Sequence, residues 1–221
     1  KRVADHLSDI LSVVRPLTPL DVQLLDAHGC VLVEDVVAPW PLPQFENSAM
    51  DGYAVRAEDV QAASEDEPVE LPVVADIAAG ETEVDAIGPG LAARIMTGAP
   101  VPVGADAVVP VEYTDGGTAR VRISLAALAG RHLRRVGEDV QAGETVLQAG
   151  TFLGAAQVGL LAAVGKDRVK VRPRPRVVVI STGSELVEPG LPVALGQITD
   201  SNSFTLTASS WEAGAVAFRV A

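Results

Sequence analysis

Val3, Leu7, Ile10, Leu11 and Val14 recur at helical spacing, and Pro16 and Pro19 close the run, so the first predicted element is an amphipathic helix. From Val22 to Val37 short β-type runs bracket a turn at His28-Gly29. Pro39, Pro41 and Pro43 then impose an extended connector around Trp40, which places a boundary near Gln44. Beyond it, Gly and Pro turns separate short strands at Arg94–Thr97, Ala107–Glu112 and Arg120–Ile123, the pattern of a small β-rich domain. After Gly143 the pattern is mixed. Val146-Leu147 precedes an apolar helix from about Leu153 to Val164, ended by Gly165, and then Val169 and Val171 alternate with charged residues. Arg172-Pro-Arg-Pro-Arg176 reads as a stiff linker, and Val177 to Ile180 as a buried strand. Ser201-Asn202 is placed to cap a helix whose apolar face is Phe204, Ala208 and Trp211, with Gly214 at its end. These elements begin a βαβ unit that is expected to break off within the strand Ala215–Ala221.

Charge narrows the choice of partners. Seventeen Lys and Arg against 29 Asp and Glu give a formal charge of −12, which argues against nucleic acid, since phosphates need a basic face. The charge is also unevenly spread. Ten acids and no Lys or Arg lie between Ala57 and Ala93, a stretch expected to form solvated loops and strand edges around Val73-Val74 and Ile77. The long uncharged run, Thr145 to Gly165, carries Gln148, Gln157 and several glycines and does not read as a membrane span, and Lys1 to Leu11 lacks the apolar core of a signal peptide. Cys30 is the single cysteine, so no internal disulfide can form and a reduced, cytoplasmic setting is expected, with Cys30 acting as a small buried apolar residue. His6, His28 and His132 are far apart, and no zinc-binding spacing occurs.

Four constellations carry candidate chemistry. In Asn47-Ser-Ala-Met-Asp51-Gly-Tyr-Ala-Val-Arg56, Asp-Gly between apolar neighbours is most simply a hairpin turn with Gly at positive φ; its functional reading is a carboxylate on a rigid turn, fit for a hard cation. In Ile95-Met-Thr97-Gly-Ala-Pro-Val-Pro102, Thr97 at a strand end can offer its hydroxyl and N–H to an anion, against the plainer reading of a strand-to-loop transition. Arg134-Arg135-Val-Gly-Glu-Asp139 combines guanidinium forks suited to phosphate with a carboxylate for a shared metal, against a solvated charge run. Ser181-Thr182-Gly183-Ser184-Glu185 follows a buried strand, and Asp200-Ser201-Asn202 precedes a helix. Ligands of open α/β sheets collect at such strand ends and helix N-termini, although Ser and Asn also cap helices that bind nothing.

Together the runs Pro43–Arg56, Ile95–Pro102, Gly137–Asp139 and Val179–Leu186 resemble, in order and spacing, the MoeA/gephyrin E-domain family of molybdopterin molybdenumtransferases. The resemblance runs from the first helix to the last residue. It implies an α+β multidomain chain: a discontinuous helix-plus-strand linker and dimerisation domain (residues 1–44 and 141–173), an inserted β-rich, barrel-like domain (45–140), and the start of an α/β molybdopterin-binding domain (174–221). It implies insertion of molybdate into adenylylated molybdopterin with release of AMP, assisted by Mg²⁺, in a cytoplasmic homodimer. Molybdopterin adenylyltransferase and molybdoenzyme acceptors are the implied partners, with no nucleic acid and no membrane. Asp51, Thr97, Asp139 and Glu185 fall at the family's functional acidic and hydroxyl positions. Asp51, Asp139 and Glu185 are thereby expected to hold metal or position water, and Thr97 to contact an oxyanion or molybdate. Ser181, Thr182, Gly183, Asp200, Ser201 and Asn202 are expected to bind the pterin phosphate. The family's later α/β elements and C-terminal β domain are missing from this sequence, so the chain is expected to be a fragment, inactive alone. The competing reading is a non-catalytic dimerisation module of gephyrin type. An unrelated phosphate enzyme has neither a Walker lysine nor a GxGxxG fingerprint to support it.

Overall fold

The computed structural model describes residues 1–220. It is a mixed α/β, sheet-rich chain with three α-helices among the described residues: α1 (Val3–Val13), α2 (Ala155–Ala163) and α3 (Asn202–Glu212). The chain divides into two compact units, one made of residues 1–37 and 145–221 and the other of residues 38–144.

In the first unit, strand Arg168–Arg172 lies between Leu20–Gln23 and Val31–Leu32, antiparallel to both. Its Val169 and Val171 are buried while the charged residues between them face outward, the period of two that the sequence predicts. The helix expected from Leu153 is α2, which buries Leu161. The predicted first helix forms as α1, with none of its residues buried in this chain. Strand Arg176–Ile180 pairs in parallel with Val216–Val220, with α3 between them in sequence, so the βαβ unit expected to break off closes over a five-residue register.

The face of α3 differs from expectation. Phe204 and Trp211 are exposed, and the residues buried on this helix are Ser203 and Thr207. These are one turn apart, and both hydroxyls are satisfied internally: Thr207 Oγ donates to the Ser203 carbonyl at 2.7 Å and Ser203 Oγ donates to Asp200. A polar stripe can be buried when each of its groups has a partner.

The second unit is built on a five-stranded sheet in the order Ala107–Pro110, Gly52–Val55, Ala92–Ile95, Val69–Ile77, Arg120–Ile123. Alternate side chains feed two cores. Tyr53, Val55, Val109, Val121 and Ile123 belong to one, and Ala54, Ile77, Ala93, Ile95 and Val108 to the other. Gly52–Val55 and Ala107–Pro110 are buried on both faces, so neither strand alternates between apolar and polar residues. Each fully buried Val or Ile contributes about 1.5–3 kcal/mol of transfer free energy. The acidic stretch holds the longest strand, Val69–Ile77, which lies inside the sheet between two neighbours. Residues 61–68 and 78–91 form the loops expected of this stretch, but Val69–Ile77 is not an edge: Leu71 and Ile77 point into the cores while its acids project outward. No helix among the described residues is long and apolar enough to cross a membrane.

Candidate functional site

Asp51 is held by two chain segments that cross-bond. Ser48 N–H donates to the Ala99 carbonyl at 3.0 Å, and Gly98 N–H returns a bond to the Ser48 carbonyl at 2.8 Å. The Ser48 hydroxyl donates to the Met50 carbonyl, and the Asp51 carbonyl accepts from Val111 N–H at 3.0 Å. Asp51-Gly52 is therefore not the hairpin turn that its dipeptide suggests. Asn47–Ser48 pairs with Leu133–Arg134, and Gly52–Val55 pairs with two other strands. Glycine is required at 52 by close approach: a Cβ there would stand 2.0 Å from the Val109 carbonyl oxygen.

The exposed Asp51 carboxylate meets Thr97. Oδ1 accepts from the Thr97 backbone N–H at 2.6 Å and from the Thr97 hydroxyl at 2.8 Å. The N–H bond and then the hydroxyl bond hold this carboxyl below the usual aspartate range; desolvation opposes them, and the charge of Arg94 adds a lesser downward effect. Thr97 does meet an anion with both donors, and that anion is Asp51.

Asp139 is exposed on a turn tied to the connector: its N–H donates to the Leu42 carbonyl at 2.9 Å, as Gly137 N–H does to Pro43 at 3.0 Å. In the same unit a cavity of about 470 Å³ opens beside Met50, lined by Pro110, Tyr113, Leu125, Leu128 and His132. His132 sits at φ +57, a left-handed conformation uncommon outside glycine, and burial together with Arg131 lowers its pKa.

In the unit of residues 1–37 and 145–221, Ser181, Gly183 and Asp200 line one small cleft of about 140 Å³ with Glu188. Thr182, Ser201 and Asn202 are exposed. The Glu185 carboxylate folds back over Gly183, where a Cβ would stand 2.6 Å from one of its oxygens. Ser201, expected to cap α3, stands at the N-cap position but makes no side-chain cap bond; the buried Asp200 before it takes that part, its Oδ1 accepting from Ser203 N–H at 3.1 Å. The Ser203 hydroxyl and then that N–H lower the pKa of Asp200, with Ser181 and Arg219 adding smaller effects. Arg219 Nε donates to Ser203 Oγ at 2.7 Å, its guanidinium pairs with Glu188, and its Cζ lies 4.2 Å from the Phe204 ring centroid. The N-terminus of α3, expected to receive a phosphate, thus already holds a carboxylate. Arg219, Glu188 and Ser203 were absent from the sequence-predicted set. The available signal was a lone arginine inside the apolar alternation Val216, Phe218, Val220.

The structure therefore joins Asp51 with Thr97, and Ser181 with Gly183 and Asp200. Among the described residues, no three His, Cys, Asp or Glu side chains of one chain gather as a metal-holding group.

Residues 1–165 match the family model described as the MoeA N-terminal region (domain I and II). Molybdopterin molybdenumtransferase 2 of Mycobacterium tuberculosis is 53% identical over 215 residues, covering 97% of this chain and 53% of that protein. The molybdopterin molybdenumtransferase of Nostoc sp. is 42% identical over 217 residues, covering 96% and 50%. The crystal structure of the molybdopterin biosynthesis MoeA protein of Pyrococcus horikoshii superposes with a TM-score of 0.77 at 32% identity, over 99% of this chain and 58% of that one. The chain spans about half the length of the curated relatives it matches.

Proposed function

The chain belongs to the MoeA N-terminal family, and from that premise and its relatives' name, molybdopterin molybdenumtransferase, we propose that it serves molybdenum cofactor biosynthesis. In the proposed reaction molybdate enters the dithiolene of adenylylated molybdopterin, and the adenylate is cleaved to AMP. The observation that carries this reading is the Asp51 carboxylate, exposed yet fixed through one oxygen by two Thr97 donors at 2.6 and 2.8 Å. A surface aspartate with no chemical duty gains little from such restraint, because exposed polar contacts are worth little and ordering a side chain costs entropy.

The reading keeps the division into a discontinuous linker and dimerisation domain (1–44 and 141–173), a barrel-like insert (45–140) and the start of a molybdopterin-binding α/β domain (174–221). Asp51, Asp139 and Glu185 all present exposed carboxylates, the hard oxygen donors that Mg²⁺ prefers, and in a cytoplasmic homodimer they would meet across the subunit boundary to hold it. When bound, the ion supplies charge neutralisation at the phosphoanhydride. The chain's own residues supply orientation. Asp51 stays ionised with Oδ1 held by Thr97, while Ser181 directly follows strand Arg176–Ile180, where ligands of α/β sheets bind, and Glu185 lies in the turn beyond it. Molybdopterin adenylyltransferase is the partner that would deliver the substrate, and molybdoenzymes would accept the product.

The test is AMP release from molybdopterin adenylate on addition of molybdate and Mg²⁺, measured on the 221-residue chain and on a chain extended to its relatives' length. The extended chain is expected to release AMP in step with metal insertion, and the 221-residue chain is expected to be inactive. Absence of release from the extended chain would refute the assignment.

A further inference from the structure

On the functional reading above, we infer that Thr97 is a positioning residue that acts through Asp51, and that neither molybdate nor phosphate is its partner. Thr97 has two hydrogen-bond donors, one backbone N–H and one hydroxyl proton. Both are directed at a single atom, Asp51 Oδ1, at 2.6 and 2.8 Å. No proton of Thr97 is left for an incoming oxyanion, and the hydroxyl lone pairs would repel one. The Asp51 carboxylate is tethered to the same fold and already takes both donors, so an incoming anion would have to displace it and leave its charge without these partners.

The surrounding backbone makes the contact a clamp. Thr97 lies in a turn closed by Ala99 N–H to the Met96 carbonyl at 3.0 Å, and Gly98 N–H fastens that turn to Ser48 at 2.8 Å. On the other side the Asp51 carbonyl is fixed by Val111 at 3.0 Å, and Gly52 is pressed against Val109. With both segments immobilised, the Thr97 hydroxyl sets the torsion of the carboxylate. Oδ1 is consumed, and Oδ2 becomes the one oxygen through which Asp51 can act. Asp51 then works as a one-oxygen ligand or acceptor of fixed direction.

Two measurements test this. In the 221-residue chain, hydrogen exchange followed by NMR reads the clamp without substrate: Asp51→Ala should speed exchange of the Thr97 amide by about tenfold or more, because that N–H loses its acceptor. Unchanged protection in that variant overturns the clamp. In the extended chain, Thr97→Val keeps the shape and the N–H but removes the hydroxyl. It should lower kcat by about 10²-fold, the usual cost of a misplaced reacting group, while KM for molybdate stays within about twofold. Thr97→Ser should restore most of the lost turnover. A Thr97→Val enzyme with kcat retained and KM for molybdate raised about tenfold would instead make Thr97 a direct anion contact and sink the inference. If the wild-type extended chain releases no AMP, the functional reading fails while the exchange measurement still decides the clamp.

Discussion

Replacing Gly52 with alanine adds one methyl group at the point where the functional turn enters the sheet. The new carbon would stand 2.0 Å from the Val109 carbonyl oxygen and 2.9 Å from Pro110 Cα, both backbone atoms of the paired strand. Ordinary contact requires more than 3 Å, so strands Gly52–Val55 and Ala107–Pro110 must part by about 1 Å at this rung. A ladder hydrogen bond stretched from about 2.9 to 3.9 Å is lost. Overpacking costs about 1–3 kcal/mol, and one or two broken backbone bonds add about 1 kcal/mol each, so a total near 3 kcal/mol is expected. In a domain of about 100 residues this lowers the melting temperature by roughly 12–24 °C. The two tryptophans, Trp40 and Trp211, fall in different units, so Trp40 fluorescence in a Trp211→Phe background follows the affected unit alone. The rung also carries the Val111–Asp51 bond, so Thr97 amide protection should fall together with stability. A shift under about 4 °C would mean that the strands yield without cost and that close approach is not why glycine stands there.

Asp51→Ala should abolish AMP release in the extended chain yet leave the melting temperature within about 2 °C, as expected for an exposed side chain outside the core; undiminished release removes Asp51 from the mechanism. Tyr53→Phe deletes the hydroxyl that donates to the Gly117 carbonyl at 3.0 Å from a fully buried ring, and chemical denaturation should report a loss of about 1–2 kcal/mol. Asp200→Ala removes the α3 cap and the anion beside Arg219, so the Trp211 transition should move down by several degrees, whereas Asp200→Asn should recover part of that loss. Asp51, Asp115 and Asp200 all have folded-state pKa values below the unfolded one, so their stabilisation is complete above about pH 4 and disappears as pH falls through the folded values. Thermal melts should therefore be flat down to about pH 5 and decline below about pH 4.

Period-two and helical spacing made several elements legible: α1, the alternating strand Arg168–Arg172 and the strand Arg120–Ile123 stand where the pattern puts them, while the strands expected at Arg94–Thr97 and Ala107–Glu112 form as Ala92–Ile95 and Ala107–Pro110. Asp51 and Thr97 were legible as residues, but their pairing was not, since it depends on turns from distant parts of the chain being bonded through Ser48, Gly98 and Ala99. Asp51-Gly52 misled because local turn statistics cannot register Val109, whose closeness is what excludes a side chain. The helix α3 misled for a related reason. Hydropathy favours Phe204 and Trp211 as the inner face, yet Asp200 and Arg219 supply the hydrogen bonds that let Ser203 go inside.

Strand Val36–Val37 pairs with Thr145–Leu147, with Val37 facing Thr145, and just beyond them Ala38 and Glu144 are joined by a backbone bond of 2.9 Å. Facing residues on antiparallel strands lie only about 4.5–5.5 Å apart, so residues 38–144 leave and rejoin the host chain across the width of a hairpin. Such a segment is a cassette. Cutting it out and bridging Val37 to Thr145 with two turn-forming residues asks the host for no new geometry, and moving residues 38–144 onto another antiparallel strand pair would transplant Asp51 and Thr97 together with the scaffold that aligns them.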